Sequence, residues 1–139
     1  MSNPYEVKPI LSKLLAGETV DGLFFWGPKL MMSTDNSRYD EVYLIIEGLF
    51  TITENGKGTT VTPQNPDKMT HLCRLAFQKI SSAQLDSPNT LNLQFESGMQ
   101  LEVFGENEQF EGWQLEAKED EQPVLMIVAG PFDQLTVFE

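Results

Sequence analysis

An α+β fold, with an antiparallel β-rich core and two short helices, is the class this sequence predicts. Three observations predict it. Apolar residues recur at helical spacing in two short stretches. Elsewhere they alternate with polar residues at the strand period of two. Gly, Pro, Asn and Asp punctuate these runs. The 139 residues fit one domain, taken as 1–139. A hydrophobic content of 40%, with nine Phe and two Trp, is enough for a packed core.

The first helix is predicted over 4–16. Asn3 can cap it and Pro4 suits its first turn. Val7, Ile10, Leu11, Leu14 and Leu15 form one apolar stripe, and Gly17 is a stop. Strands are then expected over Val20–Trp26 and Lys29–Ser33, separated by Gly27-Pro28. Residues 41–53 place Val42, Leu44, Ile46, Phe50 and Ile52 on one face. Gly48 lies on that same face, so it marks either a bulge in one long strand or the turn of a hairpin. Asn55-Gly56 closes the segment, and 56–65 reads as a loop. A second helix is expected from Asn65-Pro66, with Met69, Leu72, Cys73, Ala76 and Phe77 on one face.

The remainder reads as strands. Residues 90–95 and 99–104 should pair as a hairpin. A three-residue loop, Glu96-Ser97-Gly98, would set Phe95 against Met99, Leu93 against Leu101 and Leu91 against Val103, with a left-handed residue at Gly98. Strands follow over 110–117, 124–129 and 134–138, the last two joined by Gly130-Pro131-Phe132-Asp133. Leu15-Ala16 then Val20 matches Leu75-Ala76 then Ile80 at an offset of 60. The match suggests pseudo-repeat halves, 4–55 and 66–139, as two α-β-β units sharing one antiparallel sheet.

Net charge is −12, unevenly placed: residues 1–79 carry −1 and residues 80–139 carry −11. Glu106, Glu108, Glu111, Glu116, Glu119, Asp120 and Glu121 cluster in one short stretch. Alternation places Gln94, Glu96, Glu102 and Glu116 on one exposed face or rim. Such a field repels nucleic acid and anionic membranes and attracts a basic protein. As a plain solvated surface it would serve solubility alone. The single cysteine, Cys73, cannot form an internal disulfide, which suits a reducing compartment. The first residues lack the basic segment and apolar run of a signal peptide, and no apolar run nears the ~18 residues of a membrane span. The expected location is the cytoplasm.

Catalytic and cofactor motifs are missing. His71 and Cys73 stand two apart, a spacing that does not face on a helix. Without Cys-x-x-Cys or a second histidine, no metal site is expected, and Cys73 reads as a small core residue. Ser81-Ser82 has no local base and no Gly-x-Ser-x-Gly elbow surrounds it. Gly56-Lys57-Gly58-Thr59-Thr60 is not in Walker order. Asp35, Asn36, Ser37, Asp40 and Glu41 lack the spacing of a calcium loop. Glu111, beside Gly112-Trp113, is the least arbitrary carboxylate for acid chemistry. Leu23-Phe24-Phe25-Trp26 is the bulkiest apolar run. Either core covers both its faces or one face is a partner surface.

The chain's last third carries Phe110-Glu111-Gly112-Trp113, then Val124–Gly130, Pro131 and Leu135-Thr136-Val137-Phe138. Together with Leu91–Leu101, this resembles a family of small uncharacterised bacterial proteins over roughly residues 72–139. Phe132-Asp133 stands where that family often carries Gly-Gly. The resemblance implies no assigned activity; some of those relatives are similar to toxin-immunity proteins. The expectation is a non-catalytic interaction domain, in its sharpest form an immunity-type inhibitor of a basic partner. It needs no cofactor, nucleic acid or membrane. The alternatives are a carboxylate-dependent hydrolase and a small-ligand module built on Trp26 or Trp113.

Overall fold

The computed structural model describes residues 4–25, 28–86, 88–105, 112–130 and 134–138, with side chains from Val7 onward. Helix α1 (Pro4–Leu15) buries Val7, Leu11, Leu14 and Leu15, the stripe its spacing predicts. It packs against β6 (Ile80–Asp86). Strands β1 (Val20–Phe24) and β2 (Lys29–Met32) form a hairpin. They are followed by β3 (Glu41–Ile46), β4 (Phe50–Glu54) and β5 (Lys57–Val61). The loop expected over 56–65 is therefore partly strand. Asn55 and Gly56 both take positive φ, 53° and 77°, and form the two-residue turn that joins β4 to β5. Asn-Gly is a strong hairpin signal because such a turn needs left-handed residues.

The second helix is shorter than expected. Helix α2 (Lys68–Cys73) has six residues, and beyond it Arg74, Leu75 and Ala76 donate to carbonyls three residues back. The tighter winding rotates the apolar stripe. Leu72 and Leu75 are buried, while Cys73 and Phe77 are exposed. Cys73 is thus a surface thiol rather than a core residue.

Strands β7 (Thr90–Phe95), β8 (Gln100–Val103), β9 (Trp113–Glu119), β10 (Gln122–Ala129) and β11 (Leu135–Phe138) complete the chain. The β7–β8 hairpin has the predicted register: Leu91 opposes Val103 and Leu93 opposes Leu101. Phe95 donates to the Met99 carbonyl at 2.9 Å, and Gly98 has a φ of 94°. The turn at residues 131–133 lies outside the described residues.

Two antiparallel sheets result, not the single shared sheet expected. One has the order β1-β2-β3-β9-β10-β11 and the other β5-β4-β8-β7-β6. The six-stranded sheet takes three consecutive strands from each half of the chain; the five-stranded sheet takes the β4–β5 hairpin from the first half and three consecutive strands from the second. Their inner faces and α1 contribute to one core. Gly48 marks neither a bulge nor a hairpin turn: it stands where the chain leaves one sheet for the other. There the Gly48 N–H donates to the Gly112 carbonyl at 2.8 Å. A Cβ on Gly48 would lie 3.0 Å from the Gly112 Cα and 3.1 Å from the Phe104 oxygen. The backbones cross too closely for a side chain.

Residues 17–20 and 77–80 run beside each other and bridge at Thr19 and Lys79. Gly17 donates to Ile80 and Phe77 to Val20, each at 2.8 Å. Ile80 donates to Glu18 at 2.8 Å and Val20 to Gln78 at 3.0 Å. Exchanging each residue for the one 60 positions away leaves this pattern unchanged. Gly17 and Phe77 share positive φ, and both β1 and β6 are irregular immediately after Val20 and Ile80.

Candidate functional site

The two sheets have similar inner faces and unlike outer ones. On the five-stranded sheet the outward residues are polar, as a solvated face requires. Asn92 Oδ1 accepts from Gln94 and Gln100, both at 3.1 Å. Asn92 donates to Asp86 at 3.0 Å, and the hydroxyls of Thr51 and Thr60 lie 2.9 Å apart.

The outer face of the six-stranded sheet instead sets apolar and aromatic residues among a few charged and polar ones. One row across it runs Gly22, Met31, Tyr43, Glu116, Met126, Phe138. The next runs Phe24, Lys29, Ile45, Gln114, Val128, Thr136. Phe24 and Tyr43 meet edge to face at 5.8 Å. Lys29 lies 5.0 Å and Lys118 5.4 Å from the Tyr43 ring centre, so two ammonium groups lie against one aromatic ring. Burial pushes the Tyr43 phenol above its ordinary value, helped by its hydrogen bond to Glu41 and the charges of Glu41 and Glu116. Core does not cover the Phe24-Phe25 run: Phe24 is 39% exposed and Phe25 77%.

Acids close one end of this face, where β3 begins and β9 turns into β10. Asp40, Glu41, Glu119, Asp120 and Glu121 meet there. The Asp120 N–H donates to Asp40 Oδ2 at 2.8 Å, and the Asp40 N–H to the Lys118 carbonyl at 2.9 Å. Asp120 and Glu121 form the β9–β10 turn with φ of 51° and 65°. The corresponding turn in the other sheet is Asn55-Gly56. Glutamate is poorly suited to a left-handed position, which costs an L-residue roughly 1–2 kcal/mol. This turn therefore presents two carboxylates at the expense of local backbone energy.

Of the acids singled out from sequence, Glu119, Asp120 and Glu121 are brought together at this end. Glu116 lies within the face, 3.6 Å from Lys118. Glu106, Glu108 and Glu111 lie outside the described residues, as does Trp26. The shared rim expected for Gln94, Glu96, Glu102 and Glu116 does not form. Glu102 belongs to β8 and Glu116 to β9, and those strands lie in different sheets whose outer faces point away from one another. Trp113 is fully buried, which removes it as a ligand platform. Sequence reasoning missed Lys29, Met31, Tyr43, Lys118 and Met126. Their only signal was that runs such as Val124–Ala129 are apolar on both faces, a pattern that ordinarily means burial on both sides.

A family model described as Family of unknown function (DUF6188) matches residues 13–139. The chain belongs to DUF6188. That match extends well before residue 72, where the resemblance noted from sequence began. No curated protein and no solved structure matches this DUF6188 chain. Among the described residues of this DUF6188 member, no helix is long and apolar enough to cross a membrane.

Proposed function

We propose that this protein is a non-catalytic interaction domain whose six-stranded sheet docks a basic partner. The observation that carries the reading is the contrast between two equivalent hairpin turns. One uses Asn55-Gly56, the residues the geometry favours; the other uses Asp120-Glu121 against that preference, beside a sheet face of Phe24, Met31, Tyr43 and Met126. An apolar centre with a charged rim is the usual anatomy of a protein interface. The acids would steer a basic partner and the aromatic residues would anchor it. An immunity-type inhibitor of a basic toxin or nuclease is the sharpest form of this proposal.

The test is capture from a native host lysate on the immobilised full chain, compared with two variant sets. Phe24→Ser with Phe138→Ser, and Asp120→Asn with Glu121→Gly, should each reduce recovery of a basic protein. Gln84→Ser, on the polar sheet, should not. Association should also slow as salt rises, because screening shortens the field to roughly 8 Å at physiological ionic strength. Recovery that is indifferent to both variant sets would rule the proposal out.

A further inference from the structure

We propose that the free edge of β5 is a strand-addition site, which takes an extended segment of a partner protein, ending in an acid, as one more antiparallel strand. The site lies at the edge of the five-stranded sheet, away from the outer face of the six-stranded one. This proposal and the docking proposal can therefore fail independently.

The two sheets correspond strand by strand. The order β1-β2-β3-β9-β10 in one matches β6-β7-β8-β4-β5 in the other. The registers match as well. Leu115 stands between Leu44 and Ile127, and Ile52 between Leu101 and Thr59. Trp113 stands between Ile46 and Ala129, and Phe50 between Val103 and Val61. Thr59 thus takes the place of Ile127, and Val61 that of Ala129. The correspondence ends there. Strand β11 lies beside β10, whereas among the described residues β5 pairs only with β4. Ile127 is fully buried next to Val137, while Thr59 is exposed.

The backbone of β5 suits a further strand. Its register with β4 is regular from Lys57 to Val61, while the sheet-end strands β1 and β6 are both irregular. Such irregularity is one of the ways an edge is kept from pairing. The two-residue Asn55-Gly56 turn makes Glu54 and Lys57 a hydrogen-bonded pair, and bonded pairs recur at Thr59 and Val61. Gly58 and Thr60 then turn their N–H and C=O groups to the open side. Nothing in the backbone requires glycine at Gly58. Its φ lies outside the left-handed region, and a Cβ there would meet only the Thr51 and Thr53 side chains, at 3.4 Å. Glycine inside a strand weakens it, and one thing it provides is room for a group that approaches closely.

The edge selects its occupant. On β10, Leu135, Thr136, Val137 and Phe138 face Ala129, Val128, Ile127 and Met126. On β5 the same order would face Val61, Thr60, Thr59 and Gly58. The aliphatic residue would extend the buried row that runs through Val61, and the aromatic ring would cover the bare Gly58, a pairing known to offset a strand glycine. Lys57 comes next, which makes the fifth residue an acid. Glu54, opposite Lys57, forms its ion pair with Arg74. Residues 50–79 hold four bases and two acids, a balance of +2 on a chain of −12, so the field at this end draws an acidic segment. A second copy suits the edge less well. A five-residue strand pair buries far less than the ~1,200 Å² of a stable protein–protein interface.

The experiment titrates the full chain with the capped peptide Ser-Leu-Thr-Val-Phe-Glu-Ser, followed by amide NMR shifts. A free peptide of this size should bind at about 0.1–1 mM, because it loses its conformational freedom on docking. Saturable shifts should centre on residues 57–61. In the proposed register the peptide's Phe turns its N–H toward β5 and its Val turns its N–H away. N-methylation of the Phe should weaken binding about tenfold or more, and N-methylation of the Val should leave it unchanged. Lys57→Glu should weaken binding about threefold, and a peptide with Lys in place of Glu should bind that variant better than the parent. No saturable shift, shifts centred elsewhere, equal effects of the two N-methyl groups, or no recovery on charge reversal would each overturn the proposal. Concentration-dependent shifts at Gly58 and Thr60 without peptide would place a second copy on this edge and overturn it as well.

Discussion

The indole N–H of Trp113 donates to the Asn89 carbonyl at 2.9 Å across 24 residues of chain. Trp113 is fully buried and opens β9, while Asn89 precedes β7 in the other sheet. This single hydrogen bond therefore joins the two sheets inside the core. Asn89 extends the link by donating to the Gln134 carbonyl at 2.8 Å.

Trp113→Ala should cost about 3–5 kcal/mol, the usual range for emptying a buried aromatic site. Trp113→Phe keeps most of the packing but leaves the Asn89 carbonyl without its indole donor, and should cost about 1–3 kcal/mol. Urea titration of both variants checks the order. An equal loss for the two would mean that the hydrogen bond contributes most of the effect.

Two glycines should respond very differently to alanine. At Gly98 a Cβ would meet nothing within 4 Å, so Gly98→Ala carries only backbone strain at a φ of 94°. A loss of about 1 kcal/mol is expected. At Gly112 a Cβ would strike the Phe104 carbonyl oxygen and the Gly105 backbone. Gly112→Ala should cost about 3 kcal/mol or prevent folding. Equilibrium denaturation, with circular dichroism of the second variant, distinguishes them.

Glu18 should make stability depend on pH. Burial holds its carboxyl above the ordinary value near 4.5; hydrogen bonds from Asn36 oppose this, and the charges of Asp35 and Asp21 reinforce it. The folded state therefore holds this proton more tightly than the unfolded chain. The resulting stabilisation is complete below the unfolded value and is lost as pH rises through the folded one. Glu18→Gln keeps an acceptor for Asn36 and removes the titration. It should be more stable than the parent at neutral pH, with the difference shrinking toward pH ~4. Paired urea curves across that range test the sign.

The β9–β10 turn should be easy to stabilise. Asp120→Asn with Glu121→Gly installs the residues that the β4–β5 turn already uses. Relief of left-handed strain at Glu121 should raise stability by roughly 0.5–1 kcal/mol. The same variant should recover less of a basic partner. A thermal melt alongside the capture experiment reads both effects, and a fall in stability would contradict the strain assigned to this turn.

Sequence alone determined most of the elements, though not β5 or the length of α2, and several local pairings. The stripe of α1 and the 91–103 hairpin were legible because they depend on contiguous residues. Alternation separates the two faces of a strand, and a one-residue slip would invert them. Tertiary structure alone decided that β3 lies beside β9 and β4 beside β8. That exchange sends Glu102 and Glu116 to opposite sides of the molecule. It also turns Gly48 into a crossing point and leaves Phe24, Tyr43 and Met126 on an outer face. The physical reason is that periodicity tells which residues share a face. Which face the core covers depends on strands distant in the chain, whose pairing carries no local signal.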